Sequence, residues 1–156
     1  RGIDVERHDY GNLIESITVS EAMLTDVITV LQTDTVRKVG LMIKNTNHRG
    51  FPVLTNDRLL AGIVTRTDIN KALLRGDAEA EVRSIMSKDL IVCYPNESLK
   101  TAFHKMASKN VGRIPVVKRD NEEHLVGILT RKSLIASYNK ALEFKKTYSD
   151  GRATIK

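Results

Sequence analysis

The hydrophobic and polar positions of the chain form the same series of patterns twice. Two short runs rich in β-branched residues, DVITV (26–30) and DLIVC (89–93), predict strands. Each run is followed by apolar residues at helical spacing, which predicts a helix with one buried face. These faces consist of Val36, Val39 and Ile43 in the first copy and of Leu99, Ala102, Phe103 and Met106 in the second.

Polar residues ahead of the two helices, Thr33 with Asp34 and then Asn96, are the expected N-caps. Two hairpins are predicted next, because short apolar strands flank a polar turn in each copy. Their strands are FPVL (51–54) with LAGIVT (60–65), and IPVV (114–117) with LVGILT (125–130). A last helix closes each copy, from about residue 67 to 74 and from about residue 132 to 144.

An internal duplication explains the repeated order of elements. An offset of 63 residues places Met23 on Met86 and Pro52 on Pro115. After the hairpin turn the offset becomes 65, because the second turn is two residues longer, and GIVTRTDI (62–69) then falls on GILTRKSL (127–134). We call these two segments the repeated motif.

The duplication predicts an α/β (α+β) fold, built of two pseudo-twofold-related β-α-β-β-α repeats that pack as one module. A unit of about 60 residues is only marginally stable alone, so the copies should pack together and leave a cleft for a small ligand. The predicted boundaries are 17–79 and 80–140 for the repeats, 1–16 for a linker to a missing upstream domain, and 141–156 for the last helix end and a tail. The helix should fade near Ser149, ahead of Gly151.

The composition excludes several classes of protein. With 41% hydrophobic and 28% charged residues the chain is of ordinary globular type, and no apolar run approaches the ~18 residues of a membrane span. We therefore expect a soluble, cytoplasmic chain, alone or as the cytosolic domain of a membrane protein. A single cysteine, Cys93, and four dispersed histidines predict neither a disulfide nor a metal site.

Neither catalysis nor nucleic-acid binding has a motif to support it. The +6 net charge would suit nucleic acid, but the basic residues are interleaved with acidic ones, and aromatic residues, at 4%, offer no stacking platform. The chain has no catalytic motif such as a phosphate-binding loop, and Cys93 lies in an apolar run where a thiol usually packs. We predict a protein that is not an enzyme and does not bind nucleic acid.

The repeated motif, the apolar-Pro-Val strand before it, and the lead-in segments VSEAM (19–23) and VRSIM (82–86) together resemble the CBS (cystathionine β-synthase) domain. The resemblance covers about residues 17–140, and PNESL (95–99) is also similar to the regulatory gamma subunit of AMP-activated protein kinase. It implies a regulatory module that binds an adenosine nucleotide (AMP, ADP or ATP) between its repeats, requires no cofactor, and pairs through its helices as a homodimer.

The same resemblance implies a ribose site at Thr65 and Asp68, since one carboxylate can accept hydrogen bonds from both ribose hydroxyls. Its implied ligand-binding residues also include Ile63, an adenine wall of Leu90 and Ile91, and the phosphate-binding cations Arg49, Arg113 and Lys132. Each has a simpler explanation. Thr65 and Asp68 could only cap the following helix, Leu90 and Ile91 could be core residues, and the cations could be solvated charges.

A second, weaker cleft is implied by the second copy of the motif, where Ser133 replaces Asp68. It would be formed by Thr130 and Ser133, by walls of Val27 and Ile28, and by His48, which could equally be a surface loop residue. Ser133 has neither the charge nor the second oxygen of a carboxylate, so we predict unequal clefts. Gly112 stands where the resemblance suggests a histidine, which weakens the expected phosphate site.

The N-terminal RGI (1–3) resembles the segment that follows the last membrane helix of CLC-type chloride channels and transporters. This resemblance implies a covalently attached, membrane-embedded upstream domain. Alternatively, the segment is an ordinary interdomain linker. The module would then belong to a nucleotide-biosynthesis enzyme such as inosine monophosphate dehydrogenase, to a divalent-metal transporter, or to a free-standing nucleotide sensor. A purely structural dimerisation module, with empty clefts, would explain the duplication equally well.

Overall fold

The computed structural model describes residues 13–155, with side chains described as far as residue 148. The chain divides into two compact units. The first contains the segment up to Thr25, Cys93–Val116 and the chain from Gly127 onward, and the second contains Asp26–Val92 and Val117–Val126. The elements are α1 (Val19–Ala22), β1 (Val30–Leu31), α2 (Val36–Thr46), β2 (Gly50–Leu54), β3 (Leu60–Thr65), α3 (Arg66–Leu74), a 3-10 turn (Val82–Ser84), α4 (Leu99–Lys109), β4 (Arg113–Lys118), β5 (Asn121–Thr130) and α5 (Arg131–Ile155).

The second unit contains a three-stranded sheet with helices α2 and α3 packed on it. Strand β2 lies in the centre, parallel to β1 and antiparallel to β3. The helices contribute the apolar faces that their spacing predicted, and these close over the sheet. The core comprises Val30, Val36, Val39, Ile43, Phe51, Val53, Val64, Ile69, Ala72 and Val82.

The first unit repeats part of this arrangement with α1, α4, α5 and the base of the β4–β5 hairpin. Cys93 forms a parallel bridge to Val116, and this pair lies 63 residues beyond the Val30–Val53 pair of β1 and β2. The Cys93 side chain is buried, and burial raises the pKa of its thiol to about 11. Cys93 is therefore a packed core residue, as the sequence predicted.

The two predicted first strands are much shorter than expected. Only Val30 of DVITV belongs to a strand, and only Cys93 of DLIVC forms a bridge. Ile63 directs both its N–H and its C=O to Ser87 and therefore makes no hydrogen bond to Pro52, its partner on β2. The backbone nitrogen and carbonyl of Pro52 consequently point toward β1. A proline has no N–H to donate, and the parallel ladder therefore does not extend toward residue 26.

Several predicted helix ends were also wrong. Helix α2 is capped by Thr35 rather than Thr33 or Asp34, and Ser98 rather than Asn96 caps α4. Asp34 instead accepts a hydrogen bond from the Leu31 N–H at 2.9 Å. Helix α5 continues to Ile155, because a single glycine costs a helix only about 1 kcal/mol relative to alanine and does not stop it.

The side chain of Phe103 does not belong to the buried face on which the sequence placed it. It is 52% exposed, whereas Leu99, Ala102 and Met106 are buried. These three residues correspond to Val36, Val39 and Ile43 of α2, and the counterpart of Phe103 is Gly40. The buried stripe of each helix is therefore narrower than the second copy alone suggested.

Each copy of the repeated motif pairs with the residue that directly follows the lead-in segment of the other repeat. In the second unit Ile63 and Ser87 exchange backbone hydrogen bonds of 3.0 and 2.8 Å. In the first unit Leu24 and Ile128 exchange hydrogen bonds of 2.8 and 2.9 Å. A single repeat therefore lacks the partner for its own motif strand, which gives the duplication a physical reason.

The glycine of each motif permits this close approach. A Cβ atom at Gly62 would lie 2.6 Å from the Ser87 carbonyl oxygen and 2.8 Å from the Met86 Sδ. A Cβ atom at Gly127 would lie 2.7 Å from the Met23 Sδ and 2.9 Å from the Leu24 carbonyl oxygen. These distances are far below van der Waals contact, so no side chain fits at either position.

Gly62→Ala and Gly127→Ala should each lower the free energy of unfolding, by about 1–3 kcal/mol, because the added methyl group would displace the lead-in segment. Gly112→Ala is the control, since a Cβ there has no neighbour within 4 Å. Urea unfolding followed by circular dichroism measures the difference. Equal midpoints for Gly62→Ala and Gly112→Ala would contradict this explanation.

Candidate functional site

Thr65 and Asp68 form a reciprocal pair at the N-terminus of α3. The Asp68 N–H donates to Thr65 Oγ1 at 3.2 Å, and the Thr65 N–H donates to Asp68 Oδ2 at 2.9 Å. The helix-capping role is thus real. Within the described part of the chain, Asp68 Oδ1 receives no hydrogen bond, and the residue is only partly buried. The carboxylate can cap the helix with one oxygen and still offer the other to a ligand.

Arg49 lies next to this pair at the open end of the β2–β3 hairpin. Gly50 pairs with Thr65, and the Arg49 carbonyl accepts a hydrogen bond from the Arg66 N–H at 2.8 Å. The Arg49 side chain is exposed, and no ion pair or hydrogen bond engages it among the described residues. The end of the hairpin therefore combines the Asp68 carboxylate, which has one oxygen without a hydrogen bond from the described residues, with the exposed guanidinium of Arg49.

The lead-in of the second repeat brings the predicted adenine wall into the same unit. Ile63 is bridged to Ser87, and Leu90 and Ile91 follow three and four residues later. Both are partly buried, so neither is a plain core residue. The structure thus assigns six of the eight predicted residues to the second unit, Ile63, Thr65, Asp68, Arg49, Leu90 and Ile91, while Arg113 and Lys132 belong to the first.

The second motif forms the same helix cap with a serine in place of the aspartate. The Ser133 N–H donates to Thr130 Oγ1 at 2.9 Å, and Ser133 Oγ accepts from the Thr130 N–H at 3.0 Å. The same hydroxyl lies 3.1 Å from the Thr130 carbonyl oxygen, to which it donates. The Ser133 hydroxyl therefore both donates and accepts a hydrogen bond within the cap. Unlike Asp68, it has no charge to offer a ligand.

The other residues predicted for the second cleft are not grouped with Thr130 and Ser133, because Val27, Ile28 and His48 belong to the second unit. His48 is held within its own loop. Its ring stacks on Phe51 with centroids 5.6 Å apart, and its Nδ1 lies 3.2 Å from the Thr46 carbonyl oxygen. These contacts favour the surface-loop interpretation of His48.

Two asparagines that end helices, and an arginine that contacts one of them, were not identified from the sequence. Asn47 and Asn110 end α2 and α4 in the left-handed conformation, with φ of 60° and 52°. Asparagine is one of the residues that tolerate this conformation, and its recurrence at an offset of 63 was the available signal. Arg66 donates from Nη2 to Asn47 Oδ1 at 3.1 Å and so connects α3 to this turn.

No cluster of three histidine, cysteine, aspartate or glutamate side chains suited to a metal ion occurs among the described residues. Over the same residues, no helix combines the length and the hydrophobicity needed to cross a membrane.

The duplicated strand and helix order, the exchanged lead-in segments and the capped motif define a tandem α+β module. The chain belongs to the CBS domain family, whose model matches residues 19–75 and 82–140. The family predicted from the repeated motif is therefore confirmed, as is the α+β fold of a CBS pair.

Known proteins resemble the chain in sequence and in fold. The inosine-5'-monophosphate dehydrogenase of Methanocaldococcus jannaschii is 32% identical over 128 residues, covering 81% of this chain and 25% of the enzyme. Two solved structures share the fold. The CBS domain of a membrane protein from Sphaerobacter thermophilus has a TM-score of 0.71 at 21% identity, covering 86% of this chain and 96% of that one. The CBS domain pair of protein MJ0100, in complex with 5'-methylthioadenosine and S-adenosyl-L-methionine, has a TM-score of 0.69 at 23% identity, covering 79% of this chain and 96% of that one.

The chain spans less than half the length of curated relatives that it matches, 44% of one and 25% of another. The similarity thus concerns the CBS pair itself and not the other domains of those proteins.

The two copies of the cap predict how Asp68 variants behave without ligand. Asp68→Ser should retain the hydrogen bond to the Thr65 N–H, as Ser133 does for Thr130, and lose only the charge–dipole interaction of about 0.3–1 kcal/mol. Asp68→Ala should lose the hydrogen bond as well, which adds about 1 kcal/mol. Urea unfolding of both variants measures this order. Equal stability of the two would show that the hydrogen bond from the Thr65 N–H to the side chain at position 68 contributes nothing.

Proposed function

We propose that this CBS pair is a sensor that binds an adenosine nucleotide and regulates the larger protein to which it is attached. The observation that carries the proposal is Asp68, whose Oδ2 caps α3 while Oδ1 has no hydrogen bond from the described residues. An ionised carboxylate at this position can accept hydrogen bonds from the 2′ and 3′ hydroxyls of a ribose.

Neighbouring groups suit the remaining parts of such a ligand. Leu90 and Ile91 offer partly buried apolar side chains for an adenine ring, and Arg49 offers an exposed guanidinium for phosphate. We propose further contributions from Arg113 and Lys132. One structural neighbour, the CBS pair of MJ0100, was solved with the adenosine-containing ligands 5'-methylthioadenosine and S-adenosyl-L-methionine.

Calorimetric titration with AMP, ATP and S-adenosyl-L-methionine tests the proposal. The wild type should bind at least one of them below millimolar concentration, and Asp68→Ser should bind it about 10- to 150-fold more weakly, which corresponds to lost charged hydrogen bonds of about 1.5–3 kcal/mol. Because serine preserves the cap, the loss of affinity cannot be attributed to an unfolded helix.

Ser133→Asp is the matched change in the second motif. It restores the carboxylate on an equivalent cap, so a gain in affinity or a second binding event would support the ribose role. If the wild type binds none of the three ligands and Asp68→Ala only lowers stability, Asp68 is a cap alone. A structural dimerisation module would then be the better description.

We also propose that the module forms a homodimer through its helices. Helices α2 and α3 of the second unit leave Leu41 and Leu74 exposed by 56% and 89%, and α4 and α5 of the first unit leave Phe103 and Ile135 exposed by 52% and 49%. Apolar groups on pseudo-equivalent helices favour a self-complementary contact of the twofold type.

Light scattering at high protein concentration should give twice the chain mass for the wild type. Leu74→Glu should shift the equilibrium toward the monomer, because it places a charge in an apolar contact. Leu24→Ser, which changes an exposed leucine outside these helices, is the control. A monomeric wild type under these conditions would overturn the dimer.

The larger protein is proposed to be a CLC-type chloride channel or transporter, with this module on the cytosolic side of an embedded domain. The support is the resemblance of residues 1–3, which lie outside the described residues, and the membrane protein from Sphaerobacter thermophilus that carries a similar CBS domain. The related dehydrogenase shows that an enzyme is the main competitor. The gene sequence upstream of Arg1 decides between apolar spans of about 20 residues and an enzyme domain.

A further inference from the structure

Arg66, at the start of α3, connects this helix to the loop between α2 and β2. Its Nη2 donates to Asn47 Oδ1 at 3.1 Å and lies 3.5 Å from the His48 carbonyl oxygen. Its Nε is buried and is the single side-chain polar atom of this kind, among the described residues, that has no hydrogen-bond partner. The guanidinium is therefore directed into the protein at the cost of an unsatisfied donor.

The backbone of Arg66 holds the next residue of the same loop. Its N–H donates to the Arg49 carbonyl at 2.8 Å, so one residue engages Asn47, His48 and Arg49. Asn47 itself is in the left-handed conformation, and its N–H is bonded to the Ile43 carbonyl at 2.8 Å. The backbone that carries the exposed Arg49 side chain is thus fixed on both sides.

The second repeat contains the same scaffold without the cation. Arg131 donates from Nη2 to the Val111 carbonyl at 3.4 Å and from its N–H to the Gly112 carbonyl at 2.9 Å. Gly112 takes the position of Arg49, although its backbone is not left-handed and a Cβ there has open space. Nothing in the backbone requires glycine, so the second repeat retains the support and lacks the side chain it would position.

We propose that Arg66 is a positioning residue for phosphate recognition: it orders the 47–49 segment so that Arg49 binds the phosphate of an adenosine nucleotide. In this proposal Arg66 acts through Arg49 rather than by touching the ligand, in keeping with its Nη2 being engaged by the loop and its Nε being buried. This inference rests on the proposed nucleotide site. It adds that the phosphate, through Arg49 and Arg66, distinguishes a nucleotide from an uncharged nucleoside.

Calorimetric titration with AMP and with adenosine, on the wild type, Arg66→Gln, Arg49→Ala and the double variant, tests the inference. Arg66→Gln should weaken AMP binding about 10-fold and leave adenosine binding within about 2-fold. The double variant should bind AMP no more weakly than Arg49→Ala, because a residue that acts through another shows no independent effect once that residue is removed. Arg66→Lys retains the charge without the planar fork and should also weaken AMP binding.

Arg131→Gln is the matched structural control. It removes the same kind of helix-to-loop contact, so it should lower the melting temperature about as much as Arg66→Gln while weakening AMP binding less than Arg66→Gln does, because Gly112 stands at the position of Arg49. Multiplying losses in the double variant would show direct contact of Arg66 with phosphate, and equal losses for AMP and adenosine would show a purely structural role. Either result overturns the inference.

The proposed site and the positioning role fail in different ways. A wild type that binds none of AMP, ATP, S-adenosyl-L-methionine and adenosine overturns both. A wild type that binds AMP, with Arg66→Gln binding it equally well, overturns the positioning role of Arg66 and leaves the nucleotide site intact.

Discussion

At Gly62 and at Gly127 a strand and a lead-in segment approach so closely that neither position has room for a Cβ atom. The pair of backbone hydrogen bonds at each place joins the motif of one repeat to the lead-in of the other. The segments that carry Leu90 and Ile91 are placed by this contact, and so is the strand that ends at Thr65. Both the fold of each unit and the composition of the candidate site depend on it.

The two caps show how a duplicated scaffold can retain stability while its chemistry diverges. Aspartate and serine both satisfy the N–H of the capping threonine, at 2.9 Å and 3.0 Å, so the start of each helix is preserved. Only the carboxylate leaves an oxygen free of local hydrogen bonds. The change from Arg49 to Gly112 has the same character, because the supporting arginine remains and the exposed charge is gone. Together these two differences give the first repeat a carboxylate with a free oxygen and an exposed cation, neither of which the second repeat has at the equivalent positions.

Individual residues show how far sequence patterns reach. The apolar spacing of Val36, Val39 and Ile43 correctly identified the buried face of α2, since such a face depends only on helical periodicity. The same rule failed at Phe103, because the spacing of apolar residues does not show how much of a helix its neighbours cover. Asp34 is of a residue type that often caps helices, but its carboxylate accepts from the Leu31 N–H instead. The geometry of the turn decides which nearby N–H donor the carboxylate reaches.

The sequence by itself determined the duplication, the order of elements, the CBS family and the candidate pair of Thr65 and Asp68, because these follow from local spacing and from residue chemistry within a few positions. Tertiary structure decided which lead-in pairs with which motif, how short the first strands are, and that Arg66 supports the loop carrying Arg49. The pairing of motif and lead-in and the contacts of Arg66 with its loop join residues at least 17 positions apart. The first strands end where the proline of the neighbouring strand has no N–H to donate to them. Such effects arise only when distant segments meet, and no local pattern encodes them.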